Sequence, residues 1–167
     1  MQNKLTRAAL AIMLTVAAPI TSMVHAQEAV VAAEDKEALF TSTDPQLNAN
    51  KQVVYRIMRD LLEANHWDLA DELLTERYIQ HNPAVPSGRD TVVNFFTQVL
   101  KTEPTPIPAK LQTPVVFVTA EGDLVTVATV RVEQEPQDPT KTYTTTWYDT
   151  WRIVDGKADE HWDAAVK

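Results

Sequence analysis

The clearest indication of the fold is the C-terminal stretch, residues 141–166, which reads KTYTTTWYDTWRIVDGKADEHWDAAV. Aromatic and β-branched residues alternate here with more polar ones, and this period of two predicts strands. The Asp155-Gly156 pair inside the stretch indicates a tight hairpin turn. Together with the preceding runs, the pattern predicts four strands over Leu111 to Ala120, Leu124 to Glu135, Lys141 to Val154 and Lys157 to Val166.

Before these strands the apolar residues recur at helical spacing. Asp44 and Pro45 favour a helix start, and this first helix should end near Asn65. Asp68 can cap a second, short helix whose apolar stripe continues toward Tyr78. An extended segment from Tyr78 to Asn82 should follow, and Ser87 with Asp90 resembles a capping pair for a third helix. The buried face of that helix is predicted to be Val92, Phe95, Phe96 and Val99.

Helices followed by hairpin-linked strands predict an α+β domain, with a curved antiparallel sheet packed around three N-terminal helices on one face. The N-terminus has the pattern of a secretory signal over residues 1–26, with basic Lys4 and Arg7, an apolar run and small residues before Ala26. We expect residues 27–43 to be a flexible leader and residues 44–167 to form a single domain. The protein should therefore be exported, either to a periplasm or out of the cell.

The composition excludes several functions. The net charge is −8, and loss of the signal removes basic residues only, so nucleic acid and membrane surfaces are poor partners. The chain has no cysteine, which excludes disulfides and thiol catalysis. None of its three glycines belongs to a phosphate-binding loop, and no serine lies in a GxSxG motif.

The strongest candidate for chemistry is Asp149. Strand pleating places it on the same face as its neighbours Trp147 and Trp151. A carboxylate between two indoles loses solvation, which favours a role as proton acceptor or donor. The alternative is structural: Asp149 bonds a backbone amide or a nearby cation beneath the helices.

Acids and imidazoles elsewhere could complete a pocket with Asp149. The same pleating places Glu160 with Trp162 and turns His161 the other way, although a β-bulge near the turn would exchange the two sets. His81 could act as a base or as a donor to a carbonyl, or it could simply bond backbone near Pro83. His161 could equally be a surface histidine in an ion pair.

A metal site would recruit His81, His161 and a carboxylate such as Asp149 or Asp163. No HxH or HExxH spacing supports such a site. We therefore expect no metal.

Three segments resemble the SnoaL-like polyketide cyclase family of the nuclear transport factor 2-like superfamily. They are Tyr78 to Pro83 with Gly88, then Asp149 to Lys157, then Glu160 to Asp163, and the resemblance covers about Val53 to Asp163. It implies a cone of curved antiparallel sheet closed by three helices around a deep pocket. It also implies cofactor-free acid/base catalysis, as in an intramolecular aldol condensation, with Asp149 as the acid/base group and His81 stabilising the enolate or relaying the proton.

Together these observations predict a pocket lined by Tyr78, His81, Trp147, Asp149, Trp151, Glu160 and Trp162, with His161 as the alternative to Glu160. The expected activity is acid/base chemistry of the cyclase or isomerase type on a small, mostly apolar carbonyl compound. The competing hypothesis is a module that binds a small hydrophobic ligand or pairs with another subunit without chemistry. A homodimer through the open sheet face is plausible, because Tyr148 lies among the outer positions.

Overall fold

A computed structural model describes residues 28–165, so the predicted signal lies outside the described residues. Four short α-helices and five strands make up the domain. The helices are α1 (Lys36–Leu39), α2 (Pro45–Arg56), α3 (Ala70–Leu73) and α4 (Arg89–Asn94), and the strands are β1 (Leu74–Gln80), β2 (Val115–Glu121), β3 (Leu124–Glu135), β4 (Asp138–Val154) and β5 (Lys157–Asp163). Among residues 28–165, no helix is long and apolar enough to cross a membrane.

The strands form one sheet in the order β1-β5-β4-β3-β2. The pairs from β2 to β5 are antiparallel hairpins, as predicted. β1 instead runs parallel to β5, so the otherwise antiparallel sheet is mixed at this edge. The chain between β1 and β5 includes α4 and the strands β2 to β4, and a parallel pair requires a long connection of this kind rather than a tight turn.

The tight turn predicted at Asp155-Gly156 forms between β4 and β5. Asp155 and Gly156 have φ angles of +49° and +76°. Both central residues of this tight turn thus lie in the left-handed region, where Asp-Gly is favoured because glycine carries no Cβ. Gly122, between β2 and β3, also has a positive φ, of 58°.

The first predicted helix forms as expected. Asp44 accepts hydrogen bonds from the backbone N–H groups of Gln46 and Leu47, and Pro45 occupies the first turn. The helix continues as a π-helical segment over Ile57–Glu63.

The other two predicted caps are wrong. Asp68 lies inside a 3₁₀ turn, Trp67–Leu69, and α3 has no side-chain cap. Gly88 precedes α4, while the Ser87 hydroxyl accepts from the backbone N–H of Gln80 instead. The chain after α4 widens into a π-helical segment, Phe95–Val99, and this turns Val99 out to 62% exposure.

Residues 28–43 do not form the expected flexible leader. The backbone N–H of Ala33 donates to the Val115 carbonyl at 2.8 Å, and α1 follows. Phe40 is fully buried and meets Tyr55 edge to face, with ring centroids 5.2 Å apart. Burial of a phenylalanine contributes about 2 kcal/mol toward holding this segment against the domain. The packed unit therefore begins before Asp44.

The core lies between the helices and one face of the sheet. Its fully buried members include Leu61 from the first helical segment, Leu73 from α3, and Val125, Val127 and Trp151 from the sheet. This arrangement is the α+β class predicted from the sequence, with the helices on one side of a five-stranded sheet.

Candidate active site

A cavity of about 210 Å³ opens between the helices and the sheet. Its two walls differ in chemistry. The helical wall is apolar and includes Ile57, Leu61, Leu62, Trp67, Val92 and Phe96. The sheet wall is largely polar and includes Tyr78, Gln80, Asn82, Asp149, Trp151, His161 and Asp163. Small-molecule sites typically combine an apolar lining with a few convergent polar groups in this way.

The pleat of β4 places Asp149 and Trp151 on the cavity side, as the alternation predicted. Trp147 lies beside the cavity rather than in its wall. Its indole N–H donates to Asp149 Oδ1 at 3.3 Å, and the Arg131 guanidinium lies 4.3 Å from its ring centroid. Trp147 thus supports the carboxylate from outside the pocket.

A β-bulge in β5 exchanges the predicted sides of Glu160 and His161. Arg152 pairs with Glu160, whereas the next residue of β4, Ile153, pairs with Ala158, so Asp159 is the extra residue. An extra residue reverses the alternation of everything that follows it. His161 therefore lines the cavity, and the expectation that Glu160 and Trp162 face inward is wrong.

His161 joins Asp149 and Gln80 into one hydrogen-bonded chain. Its Nε2 lies 3.1 Å from Asp149 Oδ1, and its Nδ1 lies 2.7 Å from Gln80 Oε1. The backbone N–H of Asn82 also points at Gln80 Oε1, at 3.5 Å.

This arrangement locates one hydrogen. An Nε2 without hydrogen would offer only a lone pair to a carboxylate oxygen, and two acceptors do not attract at 3.1 Å. A proton therefore lies between His161 Nε2 and Asp149 Oδ1. Asp149 Oδ2 has no hydrogen-bond partner among residues 28–165 and is the oxygen left for a ligand.

Tyr78 supplies a second polar group to the same cavity. Its side chain is 4% exposed, and its hydroxyl oxygen accepts from the Trp151 indole N–H at 3.2 Å. Burial raises the pKa of Tyr78, and the nearby carboxylates of Asp149 and Asp163 raise it further. The hydroxyl keeps its own hydrogen at neutral pH, and that hydrogen is available for donation.

His81 lies on the outer face of the sheet, away from the cavity. Its Nε2 is 3.1 Å from Glu160 Oε2, and its ring stacks on Trp162 with centroids 4.6 Å apart. Glu160 also accepts from Arg152 at 3.0 Å. His81, Glu160 and Trp162 thus form an outer cluster. The expected pairing of His81 with Asp149 is wrong, because successive residues of β1 point to opposite faces and Tyr78 and Gln80 already occupy the inner one.

The cavity also has three lining residues that were not predicted from the sequence, Gln80, Asn82 and Asp163. Asn82 donates to Asp163 Oδ2 at 2.7 Å, which holds the second carboxylate at the polar wall. Gln80 and Asn82 share the parity of Tyr78, so the alternation contained a signal for both. Asp163 shares the parity of His161 and could be placed only once the bulge was known.

Asp149, His161 and Asp163 each offer a potential ligand atom, and these atoms lie within 4.8 Å of one another. They are the described residues best placed to hold a metal ion. Both oxygens of Asp163 already accept hydrogen bonds, however, from Asn82 and from the backbone N–H of Ala165. His81 and His161, which a metal site was considered to recruit, contact different carboxylates, those of Glu160 and Asp149.

Solved structures similar to this one share its fold at low sequence identity. A "putative polyketide cyclase" from Acidithiobacillus ferrooxidans is 13% identical, with a TM-score of 0.50 over 74% of this chain and 89% of the other. A "putative SnoaL-like polyketide cyclase" from Jannaschia sp. CCS1 is 17% identical, with a TM-score of 0.49 over 74% and 91%. An NTF2-like protein of unknown function from Burkholderia pseudomallei is 16% identical, with a TM-score of 0.49 over 71% and 91%.

No curated protein matches the chain. The family model described as a SnoaL-like domain matches residues 54–161, which is more than half of the chain and contains Tyr78, Asp149 and His161. The protein therefore belongs to the SnoaL-like domain family.

Proposed function

We propose that this protein is an exported acid/base catalyst of the cyclase or isomerase type, which acts without a cofactor on a small, mostly apolar carbonyl compound. The observation that carries the proposal is the 3.1 Å contact between Asp149 Oδ1 and His161 Nε2 at the polar wall of an otherwise apolar cavity. Groups that exchange protons are most effective when they are held in place and shielded from water.

In the proposed reaction Asp149 is the base. Its Oδ2 takes a proton from the carbon next to the carbonyl group, so a C–H bond breaks and an O–H bond forms. The electron pair moves to the carbonyl oxygen and produces an enolate. Tyr78 donates its hydroxyl hydrogen to that oxygen, because fixed donors stabilise developing negative charge in a low-dielectric site.

His161, rather than the predicted His81, is the histidine that contacts Asp149. Its proton keeps Asp149 Oδ1 engaged and leaves Oδ2 directed to the ligand. Gln80 holds the imidazole in this orientation through Nδ1, at 2.7 Å. The enolate then either takes the proton back from Asp149 at a different carbon, which in an unsaturated ketone moves the double bond, or its carbon attacks a second carbonyl of the same molecule, whose oxygen takes the proton from Asp149. These two outcomes correspond to an isomerase and to an aldol cyclase.

Proton exchange tests this proposal without knowledge of the natural substrate. Monocyclic and bicyclic ketones are incubated with the protein in heavy water, and deuterium entry at the carbon beside the carbonyl is followed by NMR. We expect exchange with the wild type and a loss of at least about 100-fold in Asp149→Asn, since positioned general bases contribute about 10²- to 10⁴-fold. His81→Asn is the matched control and should exchange normally.

Calorimetry on the same ketones separates the competing hypothesis. A ketone that binds to the wild type and to Asp149→Asn with similar affinity, yet exchanges no proton with either, would identify a binding module. Equal exchange by the wild type and Asp149→Asn would remove Asp149 from the mechanism.

A further inference from the structure

The lining of the cavity bears more negative than positive charge. Two of its residues, Asp149 and Asp163, have carboxylates, and no lysine or arginine of residues 28–165 lines it. His161 carries at most one positive charge, so the lining stays net negative in either protonation state of the imidazole. A ligand in this cavity therefore meets an excess of negative charge.

The arginines of the sheet do not offset this charge, because acids already pair with them. The pairs are Arg77 of β1 with Asp159, Arg131 of β3 with Glu133 and Arg152 of β4 with Asp123. Each of the other arginines in residues 28–165 also has an acidic partner. None of them is left to bind an anionic ligand in the cavity.

Asp163 is the carboxylate of the cavity that the proposed reaction does not use. Its Oδ2 accepts from the Asn82 side chain at 2.7 Å, and its Oδ1 accepts from the backbone N–H of Ala165 at 2.9 Å. These bonds hold it at the polar wall, where one of its oxygens lies within 4.8 Å of ligand atoms of Asp149 and His161. An anionic group beside Asp149 would therefore lie close to a second carboxylate, and like charges repel strongly where little water screens them.

We propose that Asp163 is a specificity-determining residue that excludes anionic compounds from the cavity. This inference rests on the proposed function and restricts its substrate to carbonyl compounds without a carboxylate, phosphate or sulfate group. The cavity of about 210 Å³ is somewhat larger than the about 150 Å³ cavity known to hold benzene, so it suits one ring with short substituents. A charged group on such a ring cannot lie far from the polar wall.

Two probes of nearly equal shape test this inference. They are para-acetylbenzoate and para-nitroacetophenone, which have the same ketone on the same ring and, opposite it, a planar group with two oxygens. The benzoate is ionised at pH 7, since the pKa of a carboxyl group is about 4, whereas the nitro compound has no net charge. NMR titration of the tryptophan indole signals measures the affinity of each probe.

We expect the wild type to bind para-nitroacetophenone more tightly than para-acetylbenzoate. Part of this preference is the cost of taking the benzoate out of water, so the decisive quantity is its change in Asp163→Asn, which keeps the side-chain shape and removes the charge. The preference should fall at least about tenfold in this variant, because the benzoate then binds more tightly. Glu160→Gln removes the same charge from the outer side of β5 and should retain the wild-type preference.

An unchanged preference in Asp163→Asn, or a wild type that binds the two probes equally, would overturn the inference. Equal falls in Asp163→Asn and Glu160→Gln would also overturn it, because the overall charge of the protein would then explain the preference. Asp163→Ser is a second uncharged variant if Asp163→Asn fails to fold. Failure of the proposed function is distinguishable, because absent proton exchange leaves the difference between the probes intact.

Discussion

Replacement of His161 by leucine should destabilise the protein far more than the same replacement of His81. Leucine keeps most of the bulk but removes both hydrogen bonds of the His161 ring, to Asp149 at 3.1 Å and to Gln80 at 2.7 Å. The His161 side chain is 9% exposed, so water cannot replace these partners. His81, on the outer face, is 39% exposed.

The magnitudes follow from burial. Removal of one partner from a buried pair typically costs about 3–5 kcal/mol. Asp149 is 19% exposed and keeps the Trp147 N–H, so we expect a smaller loss for His161→Leu, of about 2–4 kcal/mol. Glu160 keeps Arg152 when His81 is removed, and exposed pairs contribute at most about 1 kcal/mol, so His81→Leu should cost less than that.

Urea unfolding of the two variants, followed by tryptophan fluorescence, measures these differences. A double-mutant cycle of His161→Leu with Asp149→Asn should yield a coupling free energy of about 1–3 kcal/mol, because the two side chains are in contact. A loss below about 0.5 kcal/mol for His161→Leu, or equal losses for both histidine variants, would refute the description of the site.

Three further predictions concern Asp159, the absence of a metal requirement and a possible dimer surface. The hydrogen bond from Arg77 is the main cause that lowers the pKa of Asp159, which also accepts from Thr75. The carboxylate therefore stabilises the fold above its unfolded-state pKa near 4, and this stabilisation is lost on acidification. In thermal unfolding, Asp159→Asn should be less stable than the wild type at pH 7 and should lose less stability between about pH 5 and 2, and an equal loss in both proteins would contradict this. Exhaustive treatment with EDTA should leave proton exchange intact, whereas activity restored only by a divalent ion would assign Asp149, His161 and Asp163 to a metal. If the outer face forms a homodimer through Tyr148, which is 45% exposed, Tyr148→Glu should elute later than the wild type in size-exclusion chromatography, and equal elution would exclude this surface.

Local signals in the sequence account for much of the fold. The Asp44-Pro45 start of α2 and the Asp155-Gly156 turn depend on short-range chemistry and were predicted correctly. The cavity-facing position of Asp149 and Trp151 follows from a long, regular strand. Elements of this kind are predictable because neighbouring residues determine them.

Features that depend on the rest of the fold were not predicted. No signal in the neighbouring sequence indicates the bulge at Asp159. Its side chain is held by Arg77 and Thr75 of β1, which is adjacent in the sheet but more than 80 residues away in the sequence. The order of residues 28–43 likewise depends on the burial of Phe40 against α2. His81 is a different case: the alternation within its own segment placed it opposite Tyr78 and Gln80, and its assignment to the pocket overrode that alternation.

The central claim is that one proton lies between Asp149 and His161. Nitrogen-15 NMR of the imidazole rings at neutral pH tests it most directly. In the wild type the Nε2 of His161 should carry a hydrogen or share one with Asp149, and in Asp149→Asn, which lacks the charged acceptor, the Nε2 signal should shift. An Nε2 that is already unprotonated in the wild type and unchanged in Asp149→Asn would contradict the account.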